Sequence, residues 1–198
     1  MLNSEECLSQ KGRSMIEMLG VLAIIGVLSV GGIAGYSKAM TKYRVNKTSD
    51  QVSQLAQNIR TLYASQKNYN TLNDTVIKKA HLAPEDMYDN TNSITMYNPF
   101  GGTVSVWPSG KMWNNDNKAF NITIDNIPQE ACIELLTQDW GSGSSAGLIG
   151  LGHDLYGLMY GSMGSGYAHG AARGIMPVDK AMNICSSNTY NYIQWKFY

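Results

Sequence analysis

The feature that most constrains this chain of 198 residues is an uninterrupted apolar run near its beginning. Residues Met18–Tyr36 read MLGVLAIIGVLSVGGIAGY and include no charged side chain over 19 positions. A helix rises about 1.5 Å per residue, so this run is long enough to cross the roughly 30 Å hydrocarbon core of a bilayer. The core helix of a soluble protein usually retains a polar face, so the run favours a membrane-spanning helix.

The residues around this run do not fit a secretory signal peptide. Such a peptide begins with a basic segment, has a shorter apolar core and ends at a small-residue cleavage site. Here the preceding stretch MLNSEECLSQKG holds two glutamates and one lysine, and no clear cleavage site follows the core. The stretch that follows, SKAMTKYRVNKTSDQVSQLAQNIRTLYASQ, is typical of further helix.

This continuation is predicted to be amphipathic. Its apolar residues recur at a 3-4-3 spacing, which places them on one face of a helix that must be buried. The predicted stripe consists of Val52, Leu55, Ile59 and Leu62. Because the first proline is Pro84, nothing interrupts a helix from about Ser14 to about Gln66, which would measure roughly 80 Å. The first half of this helix needs lipid or other apolar helices, and the second half needs a protein surface.

Glu17 is an acidic side chain at the edge of the membrane span. A carboxylate in the bilayer centre costs a few kcal/mol even on lenient insertion scales, and less near the headgroups. One interpretation is an acid tolerated at the interface. The other is an acid that pairs with a positive charge in an apolar setting, where such a pair is strong. A chain terminus freed at residue 13 would supply an ammonium group four residues away.

The stretch KGRSMIE, residues 11–17, followed by the apolar run resembles the signature of the type IV prepilin family. The resemblance rests on three features: a short polar leader, Gly12 at the end of that leader, and an acid, Glu17, at the fifth position after Gly12. It implies that prepilin peptidase cleaves between Gly12 and Arg13 and that the new amino terminus at Arg13 is methylated. Arg13 departs from the family pattern, in which the first mature residue is usually apolar. The resemblance also implies that Glu17 neutralises the amino-terminal ammonium of a neighbouring subunit during filament assembly.

The second half of the chain alternates strand-like and turn-like stretches. Thr103–Trp107 and Ala119–Ile124 alternate as strands do, and Asn98–Gly102 is a turn signal before the first of them. IPQEACIELLTQDW predicts a short helix, and NTYNYIQWKFY predicts a last strand with Tyr190, Tyr192, Trp195 and Phe197 as its aromatic members. An antiparallel sheet packed on the apolar stripe would bury both surfaces. We therefore predict an α+β fold in which a long N-terminal α-helix, part membrane span and part amphipathic, packs on a C-terminal antiparallel β-sheet.

The predicted domain organisation follows from these segments. We expect a cleaved leader (1–12), a long N-terminal helix (13–66) with its membrane-spanning part at 18–36, and a globular head (67–198) with a disulfide-bounded region at 132–185.

The chain has three cysteines, of which Cys7 lies in the leader. Cys132 and Cys185 could pair in an oxidising compartment or remain as two buried thiols. The C-terminal half resembles the type IVb pilins of conjugative thin pili and some enteric adhesive pili, and that resemblance implies a Cys132–Cys185 disulfide. On the loop-entropy account, a loop with 52 intervening residues contributes roughly 4 kcal/mol.

The segment 141–170 combines 10 glycines with many apolar side chains. A flexible linker would lack the apolar residues. The segment is therefore either an insert that partly packs on the sheet or a displayed loop that contacts the next subunit or another surface.

The sequence indicates no enzyme, metal or cofactor. Gly143–Gly147 fits G-x-S-x-G, but it lacks the preceding strand and following helix of a nucleophile elbow. His153, Asp154 and His169 match no metal-ligand spacing. The 15 basic and 15 acidic side chains balance, so no specific nucleic-acid partner is predicted.

The resemblance implies a structural subunit of a type IV pilus, of the type IVb kind. The inner membrane would hold it until the pilus assembly machinery polymerises it into an extracellular homo-oligomeric filament, or fimbrium. Pili of this family serve adhesion, conjugation, motility and DNA uptake. Two alternatives remain at this point: a pseudopilin of a type II secretion system, which uses the same leader and helix, and a single-span membrane protein with a periplasmic binding domain.

Overall fold

The computed structural model describes residues 14–90, 93–108, 118–140, 147–152, 176–187 and 190–198. The chain divides into two compact units, Met1–Met40 and Thr41–Tyr198, and the boundary falls within the first helix.

Helix α1 (Met15–Tyr63) is continuous over 49 residues, as the absence of an early proline predicts. It ends three residues before the predicted Gln66. In its second half the buried apolar side chains are Val45, Val52, Leu55, Ala56, Ile59 and Tyr63.

The prediction was wrong at Leu62, which is 46% exposed, whereas Tyr63 is only 6% exposed. At this end of the helix the buried face passes from Ile59 to Tyr63, four residues further on. Tyr63 takes this place because its ring packs on that of Tyr69, with 5.1 Å between the ring centroids. Leu62 lies to the side of the stripe.

The described part of the second unit contains one five-stranded antiparallel sheet with the strand order β1-β2-β3-β5-β4. Its strands are β1 (Met96–Tyr97), β2 (Thr103–Pro108), β3 (Phe120–Ile127), β4 (Leu148–Gly152) and β5 (Asn191–Phe197). The predicted antiparallel sheet is therefore confirmed, and so is the α+β fold class.

One face of this sheet and the apolar stripe of α1 belong to a single hydrophobic core. Ile122 on β3 lies opposite Trp195 on β5, and both side chains are fully buried together with Leu55 and Ile59 of α1. On β5 the side chains that enter the core are Ile193, Trp195 and Phe197, while Tyr190 is 70% exposed. Side chains alternate between the two faces of a strand, so Tyr190 and Tyr192 cannot share the face of Trp195.

Elements that were not predicted occur in the last third of the chain. Strand β4 lies in the glycine-rich segment and pairs with β5, and helix α4 (Val178–Ile184) precedes Cys185. Helix α3 (Gln129–Thr137), in contrast, confirms the predicted helix around Cys132. The described part of the segment 141–170 forms a strand of the sheet itself. Residues 141–146 and 153–175 lie outside the described part of the chain, so both interpretations of the insert stay predictions.

The predicted turn at Asn98–Gly102 is present and is fixed by side chains. Asn98 Nδ2 donates to the backbone oxygen of Asp125 at 2.8 Å, and the Asp125 carboxylate accepts from the Thr103 hydroxyl at 2.8 Å. A Cβ atom at Gly102 would lie 2.0 Å from the Asp125 backbone oxygen, so only glycine fits there. Gly101 has a φ of +84°, which glycine adopts at no steric cost.

The segment between α1 and β1 includes helix α2 (Asp74–Lys79) and a 3₁₀ turn (Glu85–Met87). Its contacts with α1 include a hydrogen bond and an ion pair. Asn58 Nδ2 donates to the Leu82 backbone oxygen at 2.7 Å, and Lys47 Nζ lies 2.7 Å from Asp86 Oδ2. This hydrogen-bonded ion pair raises the pKa of Lys47.

Asp74 connects α2 to the edge of the sheet. Strand β1 pairs with β2 only at Thr103 and Val104, and beyond that point the Val106 amide donates to Asp74 Oδ1 at 3.1 Å. The contact satisfies a strand amide that has no partner in β1. Burial raises the pKa of Asp74, and the hydrogen bond from Val106 opposes that rise.

We expect Leu55→Ala to lower the free energy of unfolding by about 2–5 kcal/mol, because it opens a cavity between α1 and the sheet. The matched variant Leu62→Ala removes the same atoms from an exposed position of the same helix and should stay within about 0.5 kcal/mol of the parent. Urea denaturation of the full-length chain in a mild detergent measures both. Equal losses in the two variants would contradict the burial of this helix face.

We expect Asp74→Asn to remove a pH dependence of stability. A carboxyl group whose pKa is raised by folding stabilises the protein below its ordinary pKa, and this contribution is lost as pH rises through the raised value. The asparagine oxygen can still accept from Val106, but it does not titrate. Urea denaturation between about pH 3 and pH 7 should therefore show the parent losing stability relative to the variant as pH rises. A pH-independent offset between Asp74→Asn and the parent would contradict the assignment.

Candidate assembly site

The first half of α1 presents an apolar surface. Every residue from Ser14 to Ala39 is exposed within the structure, and this half of α1 is long and apolar enough to cross a membrane. The large apolar side chains among them are Met15, Ile16, Met18, Leu19, Val21, Leu22, Ile24, Ile25, Val27, Leu28, Val30, Ile33 and Tyr36. An exposed apolar surface of this extent marks an interaction site with a membrane or another protein.

Glu17 lies in the first turn of α1 and forms part of the helix cap. Its Oε2 accepts from the Ser14 amide at 3.2 Å, while Ser14 Oγ accepts from the Ile16 amide at 3.4 Å. This is a variant of the capping box in which the Ser14 hydroxyl accepts from the second rather than the third helical amide, and the S-x-x-E spelling of residues 14–17 signals it. The positive end of the helix dipole also favours a carboxylate at this place. Glu17 therefore has a role within its own subunit.

Gly12 and Arg13, at the predicted cleavage site, lie outside the described residues together with the rest of the leader and Cys7. Cleavage and methylation at Arg13 therefore stay predictions. The pairing of Glu17 with a second subunit is also a prediction.

The head contains the expected disulfide. Cys132 on α3 is bonded to Cys185 after α4, with 5.9 Å between the Cα atoms, and both residues are fully buried. Gln129 Nε2 donates to the Cys185 backbone oxygen at 2.8 Å. Separately, Gln138 Nε2 donates to Ser49 Oγ of α1 at 2.9 Å, so the disulfide-bounded region is attached to α1.

The residues considered for catalysis or metal binding lie outside the described structure, apart from Gly147. Residues 143–146 of the G-x-S-x-G pentapeptide, and also His153, Asp154 and His169, lie outside it. The element that precedes the pentapeptide is α3 rather than a strand. Among the described residues, no group of three or more His, Cys, Asp or Glu side chains could hold a metal ion.

The fold has a counterpart among solved structures. A type IV b pilin from Salmonella typhi superposes with a TM-score of 0.53 at 21% sequence identity, covering 77% of this chain and 98% of that one. At this identity the likeness concerns the fold alone.

Sequence relatives give more specific evidence. The chain is 30% identical over 135 residues to the major structural subunit of bundle-forming pilus from Escherichia coli O127:H6 (strain E2348/69 / EPEC), which is 67% of each chain. It is 26% identical over 128 residues to the toxin coregulated pilin of Vibrio cholerae, which is 65% of this chain and 57% of that one. A family model described as PilS N terminal matches residues 42–195. The chain belongs to the type IVb pilin family.

Membership in this family of structural subunits confirms the expectation that this pilin is not an enzyme. The family match begins at residue 42, so it covers the second half of α1 and most of the head. The leader, Arg13 and Glu17 precede the matched region.

Proposed function

We propose that this pilin is a structural subunit of an extracellular type IVb pilus and that it polymerises through the first half of α1. The observation that carries the proposal is the exposed apolar surface of residues 14–39 in a member of a pilin family. Many copies of this surface can pack against one another in a filament core, which keeps their apolar side chains away from water once they leave the membrane.

Before assembly the same surface is held in the inner membrane. The uncharged run at residues 18–36 is long enough to cross the hydrocarbon core of the membrane. The small residues Gly20, Gly26 and Gly31 lie along this run with open space around them. Small residues allow apolar helices to approach closely, which suits the transfer from lipid to a helix bundle. The pilus assembly machinery carries out this transfer, so the chain has both a membrane-held and an extracellular state.

Prepilin peptidase first removes residues 1–12 by cleavage between Gly12 and Arg13, and Arg13 becomes the methylated amino terminus. Its ammonium group then lies in sequence four residues before Glu17. We assign to Glu17 the neutralisation of this group on a neighbouring subunit. Its capping hydrogen bond with Ser14 holds the carboxylate at the end of the helix, where an incoming ammonium would meet it.

The relatives favour this function over the two alternatives. Two of them are named as a major structural subunit of a pilus and as a coregulated pilin, and neither name describes a secretion pseudopilin or a membrane-anchored binding protein.

We expect the surface form of the protein to begin at Arg13. Intact-mass and peptide mass spectrometry of fibres sheared from cells should detect an amino-terminal peptide that starts with RSMIE, with or without an added methyl group. Recovery of peptides from residues 1–12 in these fibres would contradict the proposed processing.

We expect Glu17→Gln to reduce the yield of sheared fibres by about ten-fold or more, because loss of one partner of a buried ion pair costs a few kcal/mol. Glutamine also fits a capping box, so this variant keeps the helix cap and removes only the charge. Quantitative immunoblotting of sheared fibres and of the membrane fraction measures assembly and insertion separately.

Glu85→Ala, which removes an exposed acid from the head, is the matched control and should assemble normally. Normal fibre yield from Glu17→Gln would show that capping, and not charge pairing, is the role of Glu17. Loss of Glu17→Gln from the membrane fraction would also contradict the proposal, since insertion should not need the charge.

A further inference from the structure

The stretch of α1 that directly follows the uncharged run is basic. Residues 18–49 contain no Asp or Glu. The four cations of this stretch all follow the uncharged run, and they are Lys38, Lys42, Arg44 and Lys47. An excess of Lys and Arg beside a membrane span usually marks its cytoplasmic side. In the pilus subunit proposed above, these cations lie on the side of the exported head, so that rule does not account for them.

Two of these cations already have partners in the head. Lys42 Nζ lies 3.5 Å from Glu134 Oε1, and Lys47 belongs to the ion pair with the 3₁₀ turn. Lys38 and Arg44 are both exposed, and neither of them forms an ion pair within the part of the chain that the structure describes. Lys38 and Arg44 are therefore the cations available to a partner outside the chain.

Both of these cations lie near the level of the phospholipid headgroups. At about 1.5 Å per residue, Lys38 lies about 3 Å and Arg44 about 12 Å beyond Tyr36 along the helix. The headgroup layer extends roughly 5–7 Å from the hydrocarbon core, and electrostatic attraction reaches about 10 Å further at 0.1 M salt. The Cα–Cβ bonds of an α-helix are tilted towards its N-terminus, and the membrane span lies in that direction.

Two exposed tyrosines accompany these cations. Tyr36 is 66% exposed and Tyr43 is 58% exposed, and about two turns of α1 separate them. Tyrosine is enriched at membrane–water interfaces, because its ring is apolar and its hydroxyl group is polar. Exposed tyrosines beside unpaired cations are typical of a helix segment that lies among lipid headgroups.

We propose that Lys38 and Arg44 bind the phosphate groups of anionic phospholipids in the leaflet on the side of the head. The inference rests on the membrane-held state in the proposed function, and it goes further because an uncharged span alone would insert equally well beside any headgroup. Each Lys or Arg near an anionic surface favours binding by roughly five-fold, whereas a zwitterionic headgroup has no net charge to attract it. A carboxylate of a neighbouring subunit would suit the same cations, but the tyrosines and the adjoining span favour lipid.

Electron paramagnetic resonance of spin-labelled lipids tests the proposal on the full-length chain in phosphatidylcholine vesicles. The immobilised fractions of labelled phosphatidylglycerol and labelled phosphatidylcholine give their relative association constants. We expect the constant for phosphatidylglycerol to be at least about five-fold larger, and about 1 M salt to remove most of this difference, since salt screens exposed charges. Equal constants at low salt would overturn the proposal. Such a failure would leave the filament proposal intact, because fibre processing and yield test that proposal separately.

The double variant Lys38→Gln/Arg44→Gln should lower this preference to within about two-fold, with an unchanged melting temperature because both side chains are exposed. The matched control Lys79→Gln/Lys180→Gln removes two charges from exposed positions of the head and should keep the preference of the parent. Equal losses in the two double variants would indicate an effect of net charge alone and overturn the proposal. An unchanged preference in the first variant would also overturn it, and a reduced yield of its sheared fibres would then assign these cations to contacts between subunits.

Discussion

The burial of one face of α1 against the sheet is the interaction on which the rest of the head depends. Leu55 and Ile59 are fully buried in the same core as Ile122 and Trp195, which are opposite one another on neighbouring strands. Two other segments are attached to α1 by hydrogen bonds. The α2 segment is bonded to Asn58, and the disulfide-bounded region is bonded to Ser49. These polar contacts join particular donors to particular acceptors, which non-directional hydrophobic burial does not do.

The two halves of α1 need different surroundings although they form one helix. The second half has a stripe of apolar residues along one face, and this stripe is buried in one core with the sheet of its own chain. The first half is apolar all round, so no single face can satisfy it, and lipid or several neighbouring helices must surround it. Glu17 lies at the start of this half, where its carboxylate caps its own helix and where we propose that it pairs with an ammonium group of another subunit.

Most of the fold could be predicted from local patterns, and the errors have physical causes. The helices α1 and α3 and the strands β2, β3 and β5 follow from spacing, because their buried residues repeat with the period of the element. Strand β4 was missed since its glycines resemble those of a loop, and only pairing with β5 makes it a strand. Leu62 was wrongly predicted to be buried, because spacing alone does not show whether Leu62 or Tyr63 faces the core. The contact between the rings of Tyr63 and Tyr69 favours burial of Tyr63. The capping box of Ser14 and Glu17 was readable in the sequence.

The sequence by itself determined the parts of this pilin that depend on neighbouring residues: the continuous helix, its apolar first half, the acid at its beginning and the turn at Asn98–Gly102. The tertiary structure alone decided the position of β5 between β3 and β4 and the hydrogen bond from Asn58 of α1 to Leu82. Local conformation follows from sterics and hydrogen bonds within a few residues, so the order of residues is enough to reveal it. Contacts between distant segments result from competition among many possible surfaces for burial, and the outcome is set by the packing of the whole core.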